Sequence, residues 1–127
     1  MSSWAEDIIA NWLNEAQLKY ETEKTFKDLK DKGHLRYDFF LPDYWCLIEV
    51  DGLQHEETNK YWGGEEQLKD RQKKDKIKDQ YAIDHSYHLI RIPTAALNII
   101  NKKFLINKIQ KRKYSKVTNL GNIIKIS

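Results

Sequence analysis

Apolar side chains at Trp4, Ile8, Ile9, Trp12, Leu13 and Ala16 recur at the i, i+3/i+4 interval of an amphipathic helix, predicting one over 4–19. Ser3 stands before it and Glu6 three residues on, the spacing of a capping box. From Tyr20 the period shortens, with Tyr20, Thr22, Lys24 and Phe26 alternating with polar positions, which predicts a weak first strand over 20–26. A charged turn, DLKDKGH, follows. LRYDFFL and YWCLIEV are then two β-rich runs separated by Pro42-Asp43, a hairpin connection. The segment DGLQHEETNKYWGG has the polar and glycine punctuation of a loop. Glu65 to Ala82 is dense in charge and helix formers with sparse apolar positions at Leu68, Ile77 and Tyr81, predicting a long solvated helix. Tyr87–Ile92 is a further strand ended by Pro93, and Ala95–Lys111 a final amphipathic helix. The tail TNLGNIIKIS either adds a short strand or packs elsewhere. The order α-β-β-β-α-β-α, with helices flanking a mixed central sheet, predicts an α/β fold.

Composition narrows this picture. A chain of 127 residues has the length of one domain. With 40% apolar and 32% charged residues, two prolines and five glycines, it has enough apolar surface for one core, which excludes a disordered or low-complexity chain. No apolar run reaches the ~18–20 residues of a membrane span. The start MSSWAEDIIANW carries acids where a secretory signal carries basic residues, so a cytosolic, non-secreted protein is expected. Cys46 is the single cysteine, which leaves no intramolecular disulfide and no cysteine-based zinc site within one chain.

Charge is split more sharply than the net +3 conveys. Residues 1–91 hold 14 basic and 19 acidic residues, whereas 92–127 hold eight basic and none acidic. Such asymmetry points to one face for a polyanion and another that gathers carboxylates. A lysine-rich solvated helix with a basic tail would have the same composition, so the carboxylates carry the argument. Alternation along a strand puts Arg36, Asp38 and Phe40 on one face, and Leu47, Glu49 and Asp51 on one face of the next strand. Adjacent strands thereby bring Asp38 near Glu49 and Asp51, inside runs that are otherwise aromatic and aliphatic. Carboxylates there are costly to bury without a compensating cation, and oxygen donors of this kind suit a hard divalent ion.

The run R-x-D-F-x-L-P followed by I-E-x-D-G-x-Q-H resembles the core of the PD-(D/E)XK nucleases, in the branch similar to very-short-patch-repair endonucleases and the phage homing endonucleases called EDxHD. The resemblance extends through KDRQKKDKIKDQYA and LIRIP and back to the Glu6-Asp7-Ile8-Ile9 helix, over roughly residues 3–110. It implies a restriction-endonuclease-like core and a metal-dependent DNA endonuclease using Mg²⁺ or Mn²⁺. Asp38 then matches the central metal ligand and Glu49 the acid of the E-x-K strand, with the Val50 carbonyl as a further ligand. The lysine position is Asp51 here, which removes the residue that usually orients the attacking water and leaves Gln54 and His55 as its polar substitutes. Glu6 matches the first-helix acid that completes the metal shell, although a capping role accounts for it equally well. Asp75 lies among lysines and reads as an intrahelical ion pair. His34, His85 and His88 have no partner pattern.

Phosphodiester cleavage needs charge neutralisation, an activated water and a stabilised leaving oxygen, all of which a bound divalent ion supplies; His55 would act as general base or phosphate donor. Arg36, Lys73, Lys74, Lys76, Lys78, Lys102, Lys103, Lys111, Arg112 and Lys113 are expected to track the nucleic-acid backbone. No base-reading module is evident, so sequence preference would come from a homodimer, a partner protein or DNA shape. A structure-selective, Holliday-junction-type nuclease and a non-catalytic DNA-binding protein on the same scaffold are the alternatives.

Overall fold

The computed structural model describes residues 3–52 and 64–126. In chain order these form α1 (Trp4–Glu15), β1 (Glu21–Lys30), β2 (His34–Leu41), a 3₁₀ turn (Pro42–Tyr44) and β3 (Cys46–Asp51). There follow α2 (Gly64–Asp84), β4 (His88–Pro93), a second 3₁₀ turn (Thr94–Asn98), α3 (Lys102–Gln110), β5 (Lys116–Asn119) and α4 (Gly121–Ile126). The five strands lie in sequence order in one sheet. β1, β2 and β3 form an antiparallel meander, while β4 and β5 each add in parallel. The chain is therefore α/β, a mixed open sheet between helices. None of the helices described is long and apolar enough to cross a membrane.

Each sheet face builds its own core. Cys46 and Ile48 of β3 and Ile90 and Ile92 of β4 point to the side covered by α1, which contributes Ala5, Ile9 and Leu13, and by α3, which contributes Leu105 and Ile109. Leu47 and Leu89 point the other way and meet Tyr37, Phe40, Tyr87 and Ala82 of α2. Each fully buried Leu or Ile contributes about 1.5–3 kcal/mol of transfer free energy, and the α1–α3 side holds most of them.

α2 is attached differently. Of its 21 residues only Gly64 and Ala82 are buried. Ile77 and Tyr81 pack half-buried against the core, and polar contacts add to them: Tyr37 Oη donates to the Lys78 carbonyl at 2.7 Å, Tyr81 Oη to Asp28 at 2.8 Å and Lys73 pairs with Asp31 at 3.1 Å. The apolar positions Ile77 and Tyr81 do face the sheet, but period alone could not reveal the charged residues that join them there.

Three expectations change and one that was open is decided. β1 runs to Lys30, so the stretch assigned to a charged turn continues the strand and the reversal is confined to Asp31–Gly33. α1 ends at Glu15 rather than near residue 19. The helix expected over Ala95–Lys111 is two pieces, because Asn101 is extended and its side chain accepts from the Phe104 N–H, capping a new helix. Lys111, Arg112 and Lys113 consequently lie beyond α3. The tail does form a strand, β5, along β4 and then turns into α4.

Candidate active site

The β2–β3 ladder holds the site through its end. Pairing runs from Leu41–Cys46 through Phe40–Leu47 to Phe39–Ile48. Beyond that point side chains bridge the strands: the Asp38 N–H donates to Glu49 Oε1 at 2.9 Å, and the Val50 N–H donates to Asp38 Oδ2 at 2.7 Å. On the other side of β2, Glu23 lies between the Thr22–Phe39 and Lys24–Tyr37 pairs with φ 49, the left-handed region. The alternation of β2 breaks at this level, since Tyr37 packs toward α2 and Phe39 toward α1. Strict alternation would have put both on one face.

That break corrects the expected common face for the carboxylates. Asp38 lines a cleft of about 480 Å³ with Ser3, Trp4, Glu6, Val50, Gly52 and Thr94, on the α1 side. Glu49 extends toward α2, where its Oε2 accepts from Lys78 Nζ at 2.8 Å. The two acids meet at the opening between the strands, each tied to the other's strand. Burial raises the Asp38 pKa above the usual carboxylate range; the Val50 N–H and Lys78 oppose this, while Glu6 and Asp51 add to it. Burial also pushes Glu49 up to about 7, with Lys78 pulling against it and Asp38 adding to it.

Lys78 is a second correction. Expected to contact phosphate from an exposed helix face, its side chain is 14% exposed and lies against Glu49. The departure at Asp51 is thus accompanied by a lysine that approaches the strand acid from α2. Asp51 itself pairs with Arg91 at 3.3 Å, as does Asp79 at 2.8 Å, and Arg91 Nη2 donates to the Asp75 carbonyl at 3.1 Å. The Asp75 carboxylate is 3.7 Å from Arg91, so Asp75 serves a contact between elements rather than an intrahelical one. Arg91 was missed in the sequence although it carried a signal: a charge between Ile90 and Ile92 in an apolar strand requires buried partners.

Glu6 makes the expected capping contact and also lines the cleft. Its Oε2 accepts from the Ser3 N–H and Oγ, completing the capping box, and the residue still lines the cleft with Asp38. Among the remaining basic residues, Arg36 pairs with Glu23 at 3.6 Å, Lys73 with Asp31, and Lys74 with Asp70 at 2.9 Å. Lys76, Lys103, Lys111, Arg112 and Lys113 are exposed. Gln54 and His55 lie outside the described residues.

Mg²⁺ ordinarily keeps several waters and takes only one or two protein carboxylates beside substrate phosphate. Asp38 and Glu6 both line the cleft and are the carboxylates there that could hold such an ion. A closed protein cage is a different matter: no group of three or more His, Cys, Asp or Glu able to hold an ion occurs among the described residues. No family model matches this chain, and no curated protein matches its sequence.

Proposed function

We propose that this protein is a divalent-metal-dependent DNA endonuclease whose centre is the opening at the end of the β2–β3 ladder. The observation that carries the reading is the interlock of Asp38 and Glu49 across that opening, with Lys78 against Glu49 and the cleft on the Asp38 side. Two desolvated acids and a lysine at a strand end are expensive to maintain for packing alone. Such a cluster suits hydrolysis of an anionic ester.

In this reading Asp38 and Glu6 hold Mg²⁺ or Mn²⁺ in the cleft. The bound ion supplies charge neutralisation at the phosphoryl oxygens and a lowered pKa for the attacking water. Glu49 fixes the Asp38 backbone through its N–H and, with a pKa near neutrality, holds or releases a proton in the working pH range. Lys78 sets how readily Glu49 gives that proton up. Homing or mismatch-repair-type cleavage and junction cleavage are both compatible with this chemistry.

The test is cleavage of linear, branched and single-stranded DNA with Mg²⁺ or Mn²⁺, stopped by EDTA. Asp38→Ala should abolish cleavage while leaving DNA binding in place, and His55→Ala should slow it by about 10²–10⁴-fold if that residue moves a proton. Metal-dependent cleavage surviving in Asp38→Ala would remove the site. The eight basic and no acidic residues after position 91 support a non-catalytic DNA-binding role as the second reading, and an inert wild type on every DNA form would select it.

A further inference from the structure

We propose that the nucleic-acid backbone is anchored in the groove along α3, whose lining shares no residue with the acidic cleft, and that the equally lysine-rich α2 takes little part. The identity of the anion rests on the nuclease reading; the location rests on charge and geometry. The α3 groove, about 460 Å³, is lined by Ile99, Lys103, Phe104, Asn107, Lys108 and Lys111. A groove of similar size along α2, about 490 Å³, is lined by Lys69, Gln72, Lys73, Lys76, Ile77 and Gln80. Size does not separate the two grooves.

Compensation does. α2 carries six basic and six acidic residues. Of the lysines lining its groove, Lys73 is paired with Asp31, while Lys69 and Lys76 are offset by the acids of the same helix; Lys74 and Lys78, outside that lining, pair with Asp70 and Glu49. From residue 92 onward the chain has eight basic residues and no acid. Around α3 the ion pair formed is Lys102–Glu15, at 4.0 Å, and Lys103, Lys108 and Lys111 make none among the described residues. Lys103 to Lys108 spans about 8 Å of α3 and Lys111 stands at its C-cap, so three cations lie along the length of several phosphates of one DNA strand at roughly 3.4 Å each.

Helix stability explains only part of this. Cations at the C-terminal end, Lys108 and Lys111, complement the macrodipole, but Lys102 and Lys103 occupy the first turn, where no acid is present and positive charge is unfavourable. A helix selected for its own stability would carry acids there. The field also reaches inside the molecule. Buried His88 bonds Thr118 at 2.8 Å and is pushed down to about 4, first by burial and then by Lys113, Lys116 and Lys108. Half-exposed Ile99 gives the groove an apolar spot on which a sugar edge packs.

The deciding experiment measures binding of a labelled DNA single strand and the matching duplex in EDTA, so that no cleavage intervenes. It compares wild type with Lys103→Gln/Lys108→Gln/Lys111→Gln and with Lys69→Gln/Lys73→Gln/Lys76→Gln, each checked for an unchanged circular dichroism spectrum. The α3 variant should lose about 10- to 100-fold in affinity at roughly 0.1 M salt and flatten the log–log salt slope by about 2–3. The α2 variant should lose less than about 3-fold. Equal losses, a larger loss in the α2 variant, or no binding by wild type would overturn the proposal. Polyglutamate displacing DNA at equal charge would overturn the nucleic-acid assignment. Binding as expected by a wild type that cleaves nothing would remove the nuclease reading and leave the anchoring groove standing.

Discussion

α2 and α3 are both lysine-rich helices laid on the same sheet, and they are held there by opposite means. α3 inserts Leu105 and Ile109 into the apolar core and leaves its lysines to solvent. α2 buries little and is fastened by charge, through Lys78 to Glu49 and through Arg91 to Asp75 and Asp79. Lysine content therefore says little about where a polyanion binds. What matters is whether each ammonium already has a carboxylate. The contrast also separates the two proposed roles, since the charges that fasten α2 are the ones that surround the candidate site.

The largest expected effect tests that fastening where it meets the site. Lys78→Met leaves Glu49, 8% exposed, without its cation. At about pH 8 the loss should be about 3 kcal/mol by urea unfolding. Near pH 5 Glu49 is protonated and the loss should fall below about 1 kcal/mol. The sign follows from the raised pKa of Glu49: its contribution to stability is fully present below the ordinary value of 4.5 and is lost as pH rises through about 7. Wild-type stability should accordingly decline across that window, Asp38 acting in the same direction, and Glu49→Gln should flatten the decline. A pH-independent cost for Lys78→Met would mean that Glu49 does not carry this titration.

Arg91→Met comes next. Its partners Asp51, Asp75 and Asp79 are between 24% and 36% exposed, so water takes up part of their charge. The cost should be about 2–3 kcal/mol, below the 3–5 typical when a fully buried partner is stranded. A smaller unfolding cost, under about 1 kcal/mol, would show that α2 does not depend on charge for its docking. On the α3 side the effects are smaller. Asn101→Ala should cost about 1 kcal/mol through the lost cap, and Lys108→Gln less than about 0.5 kcal/mol, as for a surface residue. Thermal melts at matched pH rank these last two.

Local pattern was sufficient for much of the fold. The interval of apolar residues from Trp4 to Leu13 sets the inward face of α1, and Ser3 with Glu6 closes its start, because a helix buries what recurs at its own period and caps its first N–H groups locally. The β-rich runs around Pro42-Asp43 set β2 and β3, and the acids within them marked Asp38 and Glu49 as residues needing an explanation. The extended backbone at Asn101, which divides α3 from the 3₁₀ turn before it, was also written locally, although an unbroken run of apolar positions concealed it.

Tertiary structure alone decided the rest. Alternation on paper assigned Asp38 and Glu49 to a common face. The break in β2, with Glu23 left-handed beside it, instead turns Asp38 to the α1 cleft and Glu49 to α2. Lys78 lies 29 residues from Glu49 in the chain, and Arg91 gathers aspartates from a strand and a helix. Ile77 and Tyr81 marked the face of α2 that meets the sheet, but nothing in its period showed that Asp75, Lys78 and Asp79 on that face would find Arg91 and Glu49 as partners. β5 likewise became a strand by pairing with β4, a contact its own four residues do not specify. Hydrophobic burial depends on residue type and spacing and so can be read along the chain. Charge compensation depends on which groups stand together in space, and only the folded molecule determines that.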